Sequence, residues 1–138
     1  MSNVHNVIEN VQGTLSKLTP TPVILTAKST ASELKSRLEW GEPALTLAQP
    51  LLWRIVDVRD PETFNRGHIT GAISVPFDRL GDLAQSALPH YRDIYIYGES
   101  DEQSLAAAQI LRGKGFISVA QIIGGLAAWH EVAGSTEG

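Results

Sequence analysis

The sequence predicts an α/β fold in which helices cover both faces of a largely parallel sheet. Five short runs have the apolar, β-branched composition of buried strands, and helical stretches separate most of them. Strands that alternate with helices form parallel sheets, because each helix carries the chain back across one face of the sheet. The predicted strands are Val23–Ala27, Trp53–Val58, Ala72–Val75, Asp93–Tyr97 and Ser118–Ile122.

Length and composition favour one globular domain and exclude several kinds of chemistry. A chain of 138 residues buries roughly two thirds of the surface that its unfolded form exposes. The formal net charge of -4 offers no basic surface for nucleic acid. The chain has no cysteine, which excludes disulfides, thiolate metal sites and cysteine nucleophiles.

Hydropathy indicates neither a membrane span nor a secretory signal. No apolar run approaches the roughly 18 residues that a membrane span requires. The first residues also lack the basic region and apolar block that are typical of a signal peptide. We therefore expect a cytoplasmic protein.

Residues 1–21 differ in pattern from the rest of the chain. Apolar residues recur there at steps of three and four, which predicts an amphipathic helix over Ser2–Leu18 that ends before Pro20. Such a helix either packs on its own domain or frays as a tail, docks a partner or a second copy, or lies on a membrane surface. The third role is disfavoured, because Lys17 is its single Lys or Arg. The apolar positions are Val4, Val7, Ile8, Val11, Leu15 and Leu18.

The first helix of the predicted domain follows the strand at Val23–Ala27. Thr30 and Glu33 have the spacing of a capping box, in which two side chains satisfy free N–H groups at a helix start. We expect this helix to continue to about Trp40 and to end at Gly41. The predicted domain covers residues 22–134, and a short tail follows at residues 135–138.

Charged residues come directly after the second predicted strand. Asp57 and Arg59 are two positions apart on an extended segment, so their side chains point to the same side. Pro61 is well placed to open a short helix. Asp57 and Arg59 form either part of a site at the carboxyl end of the sheet or an ion pair that holds loops in place, and we favour the ion pair.

The histidines do not predict a metal site. His5, His68, His90 and His130 are scattered along the chain without the spacing of metal ligands. His68 lies between Gly67 and Gly71, which permit tight backbone turns. We expect His68 to be a structural, hydrogen-bonded residue, and we predict no metal ion and no cofactor.

The turn after the strand Asp93–Tyr97 is the candidate functional loop. Doubly wound folds place their reactive groups at such strand-to-helix turns. Ser100 and Gln103 have the spacing of a capping box, and carboxylates in a first helical turn stabilise a helix by about 0.3–1 kcal/mol each. The loop runs through Gly98, Glu99, Ser100, Asp101, Glu102, Gln103 and Ser104.

Three interpretations of this loop remain open. Its acids cap the following helix, they form a negatively charged recognition surface, or the loop has acquired a new catalytic role. A catalytic role would use Ser100 or Ser104 as the nucleophile, but no histidine or lysine is placed by sequence to activate either one. We favour the helix cap.

The last predicted helix begins after a pair of glycines. Gly124 and Gly125 allow the backbone to pass close beneath the loop at Gly98. Trp129, further along the same helix, supplies a large apolar surface to the core. We therefore expect these residues to support the loop.

The chain resembles the rhodanese-like (sulfurtransferase-homology) domain family from about Ile24 to Val132. Three motifs carry the resemblance in the family's order and spacing: Asp57-Val58-Arg59, Gly67-His68-Ile69-x-Gly71-Ala72 and Gly124-Gly125-x-x-x-Trp129. The resemblance implies a three-layer α/β sandwich with a central, mainly parallel sheet of about five strands. Active members carry a cysteine after the central strand, which accepts sulfane sulfur from thiosulfate or another donor and passes it on from a persulfide.

By the register of this resemblance, Gly98 occupies the cysteine's position and Gln103 that of a basic residue at the far end of the loop. The six residues from Gly98 to Gln103 match the loop length of the family's sulfurtransferases. Glycine supplies no nucleophile. Glu99, Asp101 and Glu102 stand where an anionic donor needs cations, and two like charges about 6 Å apart repel by about 3 kcal/mol at an effective dielectric of about 20.

Three functions are consistent with these residues. The favoured hypothesis is a catalytically inactive rhodanese-like module that interacts with, or regulates, an unknown partner protein. The alternative is a sulfurtransferase-related enzyme or sulfur-relay component with residual or partner-assisted activity. The third is a binder of a small cation or polar metabolite at the acidic loop. We expect a monomer or a weak homodimer, without nucleic acid and without a membrane span.

Overall fold

A five-stranded parallel sheet lies at the centre of the fold. The computed structural model describes residues 27–41, 53–88 and 93–138. The strands are β1 (Lys28–Ser29), β2 (Trp53–Asp57), β3 (His68–Ile69), β4 (Ile73–Ser74), β5 (Asp93–Tyr97), β6 (Val119–Ile122) and β7 (Thr136–Glu137). The central sheet has the order β1-β6-β5-β2-β4, and all its neighbours are parallel. The predicted α/β fold with a mainly parallel sheet of about five strands is confirmed.

Helices follow most of the strands, and three of them start at side-chain N-caps. The helices are α1 (Ala31–Ser36, continued by a π-helical turn over Arg37–Gly41), α2 (Pro61–Arg66), α3 (Leu80–Ala87, after a 3-10 turn over Phe77–Arg79), α4 (Asp101–Gly113) and α5 (Gly125–Glu131). The Thr30 hydroxyl caps α1 by accepting from Glu33 N at 3.1 Å. Asp60 caps α2 by accepting from Thr63 N at 2.9 Å. None of the helices described here has the length and apolar character of a membrane span.

Alternate residues of the strands build two apolar layers, one on each face of the sheet. Along β5, Ile94 and Ile96 belong to one core cluster, whereas Tyr95 and Tyr97 belong to the other. The first cluster includes buried residues of α3 and α4, and the second includes buried residues of α1 and α5. The result is the three-layer arrangement that the resemblance implies.

Several sequence predictions lie outside the described residues. They are the helix over Ser2–Leu18, the first four residues of the strand Val23–Ala27, and the histidines His5 and His90. The edge strand that the structure describes begins after Ala27, at Lys28, and it pairs with Gln121 and Ile122 of β6. The predicted strand Asp93–Tyr97 is observed with the same bounds, and the other three predicted strands lose one or two residues at their ends.

The residues expected to form a C-terminal tail instead pair with the body of the fold. Thr136 and Glu137 form β7, which lies antiparallel to His68 and Ile69 of β3. Ser135 O accepts a hydrogen bond of 2.8 Å from Trp129 Nε1, which ties the start of this segment to the core. This pairing was not predicted, because a strand of two polar residues has no periodic pattern that sequence reasoning can detect.

Two tyrosines on β5 provide a matched test of how the core is held. Tyr97 lies buried, and its hydroxyl accepts from the buried Ile69 N at 3.1 Å. We expect Tyr97→Phe to lower the free energy of unfolding by about 1–3 kcal/mol, because Ile69 N–H loses its acceptor in a buried position. Urea denaturation monitored by circular dichroism measures this loss.

Tyr95→Phe is the control on the same strand. The Tyr95 hydroxyl accepts from Arg37 Nη1, which also donates to Asp93 Oδ2 at 2.8 Å and so keeps a partner. We expect a loss of less than about 1 kcal/mol in this variant. Equal losses in the two variants would contradict the assigned role of Tyr97.

Candidate functional site

The loop between β5 and α4 lies where the carboxyl ends of three central strands meet. Asp57, Tyr97 and Ile122 end β2, β5 and β6, and parallel pairing places these ends at one edge of the sheet. Val58 N donates to Tyr97 O at 3.0 Å, so the chain leaving β2 contacts the end of β5. Gly98 follows directly and opens the candidate loop.

Side chains of the loop satisfy the loop's own backbone. Ser100 is the N-cap of α4, and its hydroxyl accepts from Gln103 N at 3.1 Å. Gln103 Oε1 accepts in return from Glu99 N at 2.8 Å. A standard capping box returns this bond to the N-cap residue itself, so here Gln103 reaches one residue further back. The loop is therefore closed by a local hydrogen-bonded ring.

The Gln103 side chain also occupies the space beside Gly98. A Cβ atom added to Gly98 would overlap Gln103 Oε1 and would lie 3.0 Å from Val58 Cγ2. The overlapping atom is the far end of a flexible side chain, not backbone. A side chain at position 98 therefore requires Gln103 to turn away, which breaks the hydrogen bond to Glu99 N.

A cavity of about 220 Å³, the loop cavity, opens next to this ring. Its lining residues are Gly98, Glu99, Ser100, Asp101, Ser104, Gly124 and Gly125. Asp101 Oδ1 accepts from Gly124 N at 2.9 Å, which joins the start of α4 to the turn before α5. The loop cavity therefore lies between two helix starts, which in an anion site present free N–H groups.

The charged side chains at this cavity are acidic. Glu99, Asp101 and Glu102 are exposed, and none of them forms an ion pair within the described ranges 27–41, 53–88 and 93–138. Two buried or half-buried arginines pair with other acids: Arg59 with Asp57 and Arg37 with Asp93. The Gly124 amide, which could otherwise donate to an anion, already donates to the carboxylate of Asp101. An incoming anion would meet uncompensated negative charge here.

Glycines let the two loops approach each other. Gly124 and Gly125 have φ values of +79° and +53°, a region that favours glycine. A Cβ on Gly125 would lie 3.4 Å from Gly98 O. Trp129 is 1% exposed in the core beneath α5. Gly124 and Gly125 thus lie beside the loop at Gly98, whereas Trp129 is a core residue that hydrogen-bonds to Ser135 O.

Asp57 and Arg59 form a buried ion pair behind the loop. Arg59 Nη2 lies 2.6 Å from Asp57 Oδ2 and donates to Gly67 O at 2.7 Å. The hydrogen bond to Asp57 raises the pKa of Arg59. The guanidinium also lies over the Tyr97 ring, at 5.4 Å from its centre, and burial raises the pKa of Tyr97. The pair fixes the chain that leaves β2, and it does not line the loop cavity.

His68 is held away from the loop cavity. Its Nδ1 lies 2.8 Å from Phe64 O, its ring stacks on Phe64 at 3.7 Å, and its Nε2 lies 3.4 Å from Glu137 Oε1. Both ring nitrogens therefore have partners in the second sheet and in α2. His68 has no contact with Ser100 or Ser104 that would make it a general base.

Gln121 is a site residue that sequence reasoning missed. Its Nε2 donates to Asp101 O and to Ser104 Oγ, each at 3.0 Å, and the residue is 2% exposed. Ser104 Oγ in turn donates to Asp101 O at 3.1 Å. The sequence feature that could have identified Gln121 is a polar residue inside an otherwise apolar strand. Because the Ser104 hydroxyl is committed to this network, it supports the helix start and is not poised as a nucleophile.

No three His, Asp or Glu side chains among the residues that the structure describes come close enough to hold a metal ion. His130 is exposed on α5, and His68 faces Glu137.

Comparison with known proteins identifies the family. The rhodanese-like domain family matches residues 30–132. The chain belongs to this family. A solution NMR structure of the rhodanese-like domain from the Anabaena sp. protein Alr3790 has a TM-score of 0.73 and 49% identity, over 83% of this chain and 80% of that chain. A crystal structure of the Alr3790 protein from Anabaena sp. has a TM-score of 0.71 and 51% sequence identity, over 80% of each chain.

Named relatives of this rhodanese-like chain include sulfurtransferases. Thiosulfate sulfurtransferase 16, chloroplastic, of Arabidopsis thaliana is 35% identical over 100 residues, which cover 62% of this chain and 83% of the relative. Thiosulfate sulfurtransferase GlpE of Shewanella oneidensis is 37% identical over 79 residues, 56% of this chain and 76% of the relative. This chain has no cysteine, which fits the loss of the catalytic thiol from a rhodanese-like domain.

Restoring a thiol separates the effect of the missing nucleophile from that of the loop's charge. We expect Gly98→Cys alone to give little thiosulfate:cyanide sulfurtransferase activity. Gly98→Cys combined with Glu99→Arg and Gln103→Arg should give at least about tenfold more, because relief of about 1.4 kcal/mol of repulsion corresponds to a tenfold change in rate. The assay measures thiocyanate formation by the purified variants.

Gly113→Cys is the matched control for these variants. Gly113 is exposed at the end of α4 with open space around it, so a cysteine there reports the background reaction of a free thiol. Equal activity of the single and triple Gly98 variants would contradict the inferred effect of charge.

Proposed function

We propose that this rhodanese-like protein performs no sulfur transfer and acts as an interaction or regulatory module that binds a partner protein through its former active-site loop. The observation that carries the proposal is the state of the loop at Gly98. No thiol is available, and the Gln103 side chain occupies the space where a nucleophilic side chain would begin. Persulfide chemistry requires a thiolate.

The proposed binding surface is the loop rim, defined as the exposed side chains of Glu99, Asp101 and Glu102. Their backbone is held by the bonds of Gln103 to Glu99 N and of Asp101 to Gly124 N. A surface held in this way loses little conformational freedom when a partner binds, which favours recognition. The backbone of the loop rim is therefore held by hydrogen bonds, and its carboxylates form no ion pair with the described residues.

The charge of the loop rim defines the chemistry of the partner. The three carboxylates form no ion pair with the described residues, so a partner does not have to displace an internal cation. A segment that carries lysine or arginine matches this charge and would be steered towards it. The loop cavity of about 220 Å³ beside the rim is large enough to accept one side chain of such a segment.

A sulfur-relay role is the second candidate, and the loop cavity favours it. The cavity persists beside Gly98 at the carboxyl end of the sheet, where rhodanese-like sulfurtransferases act. In this role a partner protein supplies the thiol and this chain supplies the walls of the site. The acidic lining argues against an anionic donor such as thiosulfate and makes this the weaker candidate.

An activity assay tests the absence of sulfur transfer. We expect the purified protein to form no thiocyanate from thiosulfate and cyanide above the rate of the uncatalysed reaction, because no group on the chain can carry the sulfur. The same assay repeated with candidate thiol proteins addresses the relay. Thiocyanate formation by the pure protein would refute the proposal, and formation that requires a thiol partner would replace it with the relay.

Neutralising the loop rim tests the interaction surface. Glu99→Gln, Asp101→Asn and Glu102→Gln remove three charges, and asparagine keeps the oxygen that accepts from Gly124 N. We expect the triple variant to bind the partner captured by the wild type at least about threefold more weakly, because surface ion pairs contribute about 0.2–1 kcal/mol each. Affinity capture from native extract identifies the partner, and titration calorimetry measures the change.

The matched control neutralises three exposed acids elsewhere on the fold. Glu62→Gln, Asp82→Asn and Glu131→Gln change the net charge by the same amount and lie outside the loop cavity. We expect this variant to bind like the wild type. Equal weakening in both triple variants would mean that net charge, and not the loop rim, governs binding.

A further inference from the structure

A second cavity lies on the other side of α5 from the loop. Its volume is about 320 Å³, and it shares no lining residue with the loop cavity. Helix α2 contributes Thr63 and Arg66 to its walls, helix α5 contributes Leu126 and His130, and β7 contributes Thr136. Leu126 and His130 are four residues apart and therefore share one face of their helix. We call this space the α2–α5 cavity.

A buried guanidinium with unused donors lines this cavity. Arg59 is 8% exposed, and its Nε and Nη2 atoms donate to Asp57 and to Gly67 O. Its Nη1 atom makes no hydrogen bond to any residue that the structure describes, and it is accessible to solvent. Nη1 can therefore donate to a ligand in the cavity that Arg59 lines.

Further positive charge lies at the same cavity. Arg66 is exposed at the end of α2 and forms no ion pair with the described residues. The pKa of Asp60 is lowered mainly by hydrogen bonds from Thr63 and to a smaller extent by the charge of Arg66. The carboxylate of Asp60 already accepts from Thr63 N and Thr63 Oγ1, each at 2.9 Å. His130 lines the opposite wall from α5. The cavity thus presents arginine donors from two positions with no carboxylate on its lining.

We propose that the α2–α5 cavity binds the terminal phosphate or carboxylate of a small metabolite. The guanidiniums of Arg59 and Arg66 donate to the oxyanion, as arginine does at phosphate and carboxylate sites. Thr136 and His130 offer further polar contacts, and Leu126 contacts the apolar part of the ligand. A volume of about 320 Å³ lies at the small end of ligand cavities, which run from roughly 300 to 1,000 Å³. The proposal is independent of the loop rim.

Titration of the protein with two probes tests this site. Inorganic phosphate and succinate are added separately while backbone amide signals are followed by NMR. We expect saturable shifts at Thr63, Arg66, Leu126 and His130 with at least one probe, with a millimolar or tighter Kd. The probe that binds more tightly distinguishes a phosphate ligand from a carboxylate ligand.

An exposed arginine elsewhere provides the matched control. We expect Arg66→Gln to weaken binding about tenfold, since a hydrogen bond to a charged group is lost. Arg79→Gln, which removes an exposed arginine before α3, should leave the Kd within about twofold of wild type. Arg66 is exposed, so its replacement leaves the core intact, and the amide spectrum verifies the fold.

Three results would overturn the proposal. They are the absence of saturable shifts with both probes, an unchanged Kd in Arg66→Gln, and shifts centred on Gly98 to Ser104 instead of on α2 and α5. The last result would place the anion in the loop cavity and would also count against the acidic loop rim. Loss of partner binding in the loop-rim variant leaves this site unaffected, so the two proposals fail separately.

Discussion

The buried carboxylate of Asp57 is the group on which one wall of the α2–α5 cavity depends. It is fully buried at the end of β2, and a buried charge is tolerated only when a partner and hydrogen bonds compensate it. Arg59 supplies the partner and extends the link to Gly67 at the end of α2. Removal of one member of such a pair typically costs about 3–5 kcal/mol. The same arginine forms part of the wall of the α2–α5 cavity, so one ion pair joins the sheet to that cavity.

In the candidate loop, side chains of the protein accept hydrogen bonds from backbone N–H groups at and near the start of α4. In an anion-binding loop, free N–H groups and the helix dipole attract the ligand. Here Gln103, Ser100 and Asp101 supply the acceptors from within the chain. The carboxylates also stabilise the first turn of α4, so the residues that remove affinity for an anion are the same ones that stabilise the helix. The absence of a thiol and the stability of the loop are therefore compatible.

Local patterns account for the parts of the structure that the sequence predicts. The strand Asp93–Tyr97, the caps at Thr30 and Ser100, and the helix-opening Pro61 depend on neighbouring residues, and they appear as expected. Contacts between distant segments leave no such pattern. The bond from Ile69 N to the Tyr97 hydroxyl crosses 28 positions, and Gln121 reaches Asp101 across 20.

The direction of the Gln103 side chain likewise could not be predicted from the sequence. Its spacing from Ser100 predicts a capping box, but the box returns its bond to Glu99 and fills the space beside Gly98. That choice depends on a rotamer and on the neighbouring Val58, and not on spacing. The α2–α5 cavity depends in the same way on how α2, α5 and β7 come together, and β7 itself has too few residues to predict.

The contact between Gly98 and Gln103 also bears on how readily a thiol could arise at position 98 in evolution. Backbone geometry does not demand glycine at position 98, because Gly98 lacks a positive φ and the obstructing atom belongs to a flexible side chain. Glycine and cysteine codons are neighbours in the genetic code, so the thiol is readily regained by mutation. Selection would gain little from that step alone, since the surrounding acids would still repel an anionic donor. The charge of the loop, more than its shape, would thus be the main barrier to sulfur transfer by a cysteine at position 98.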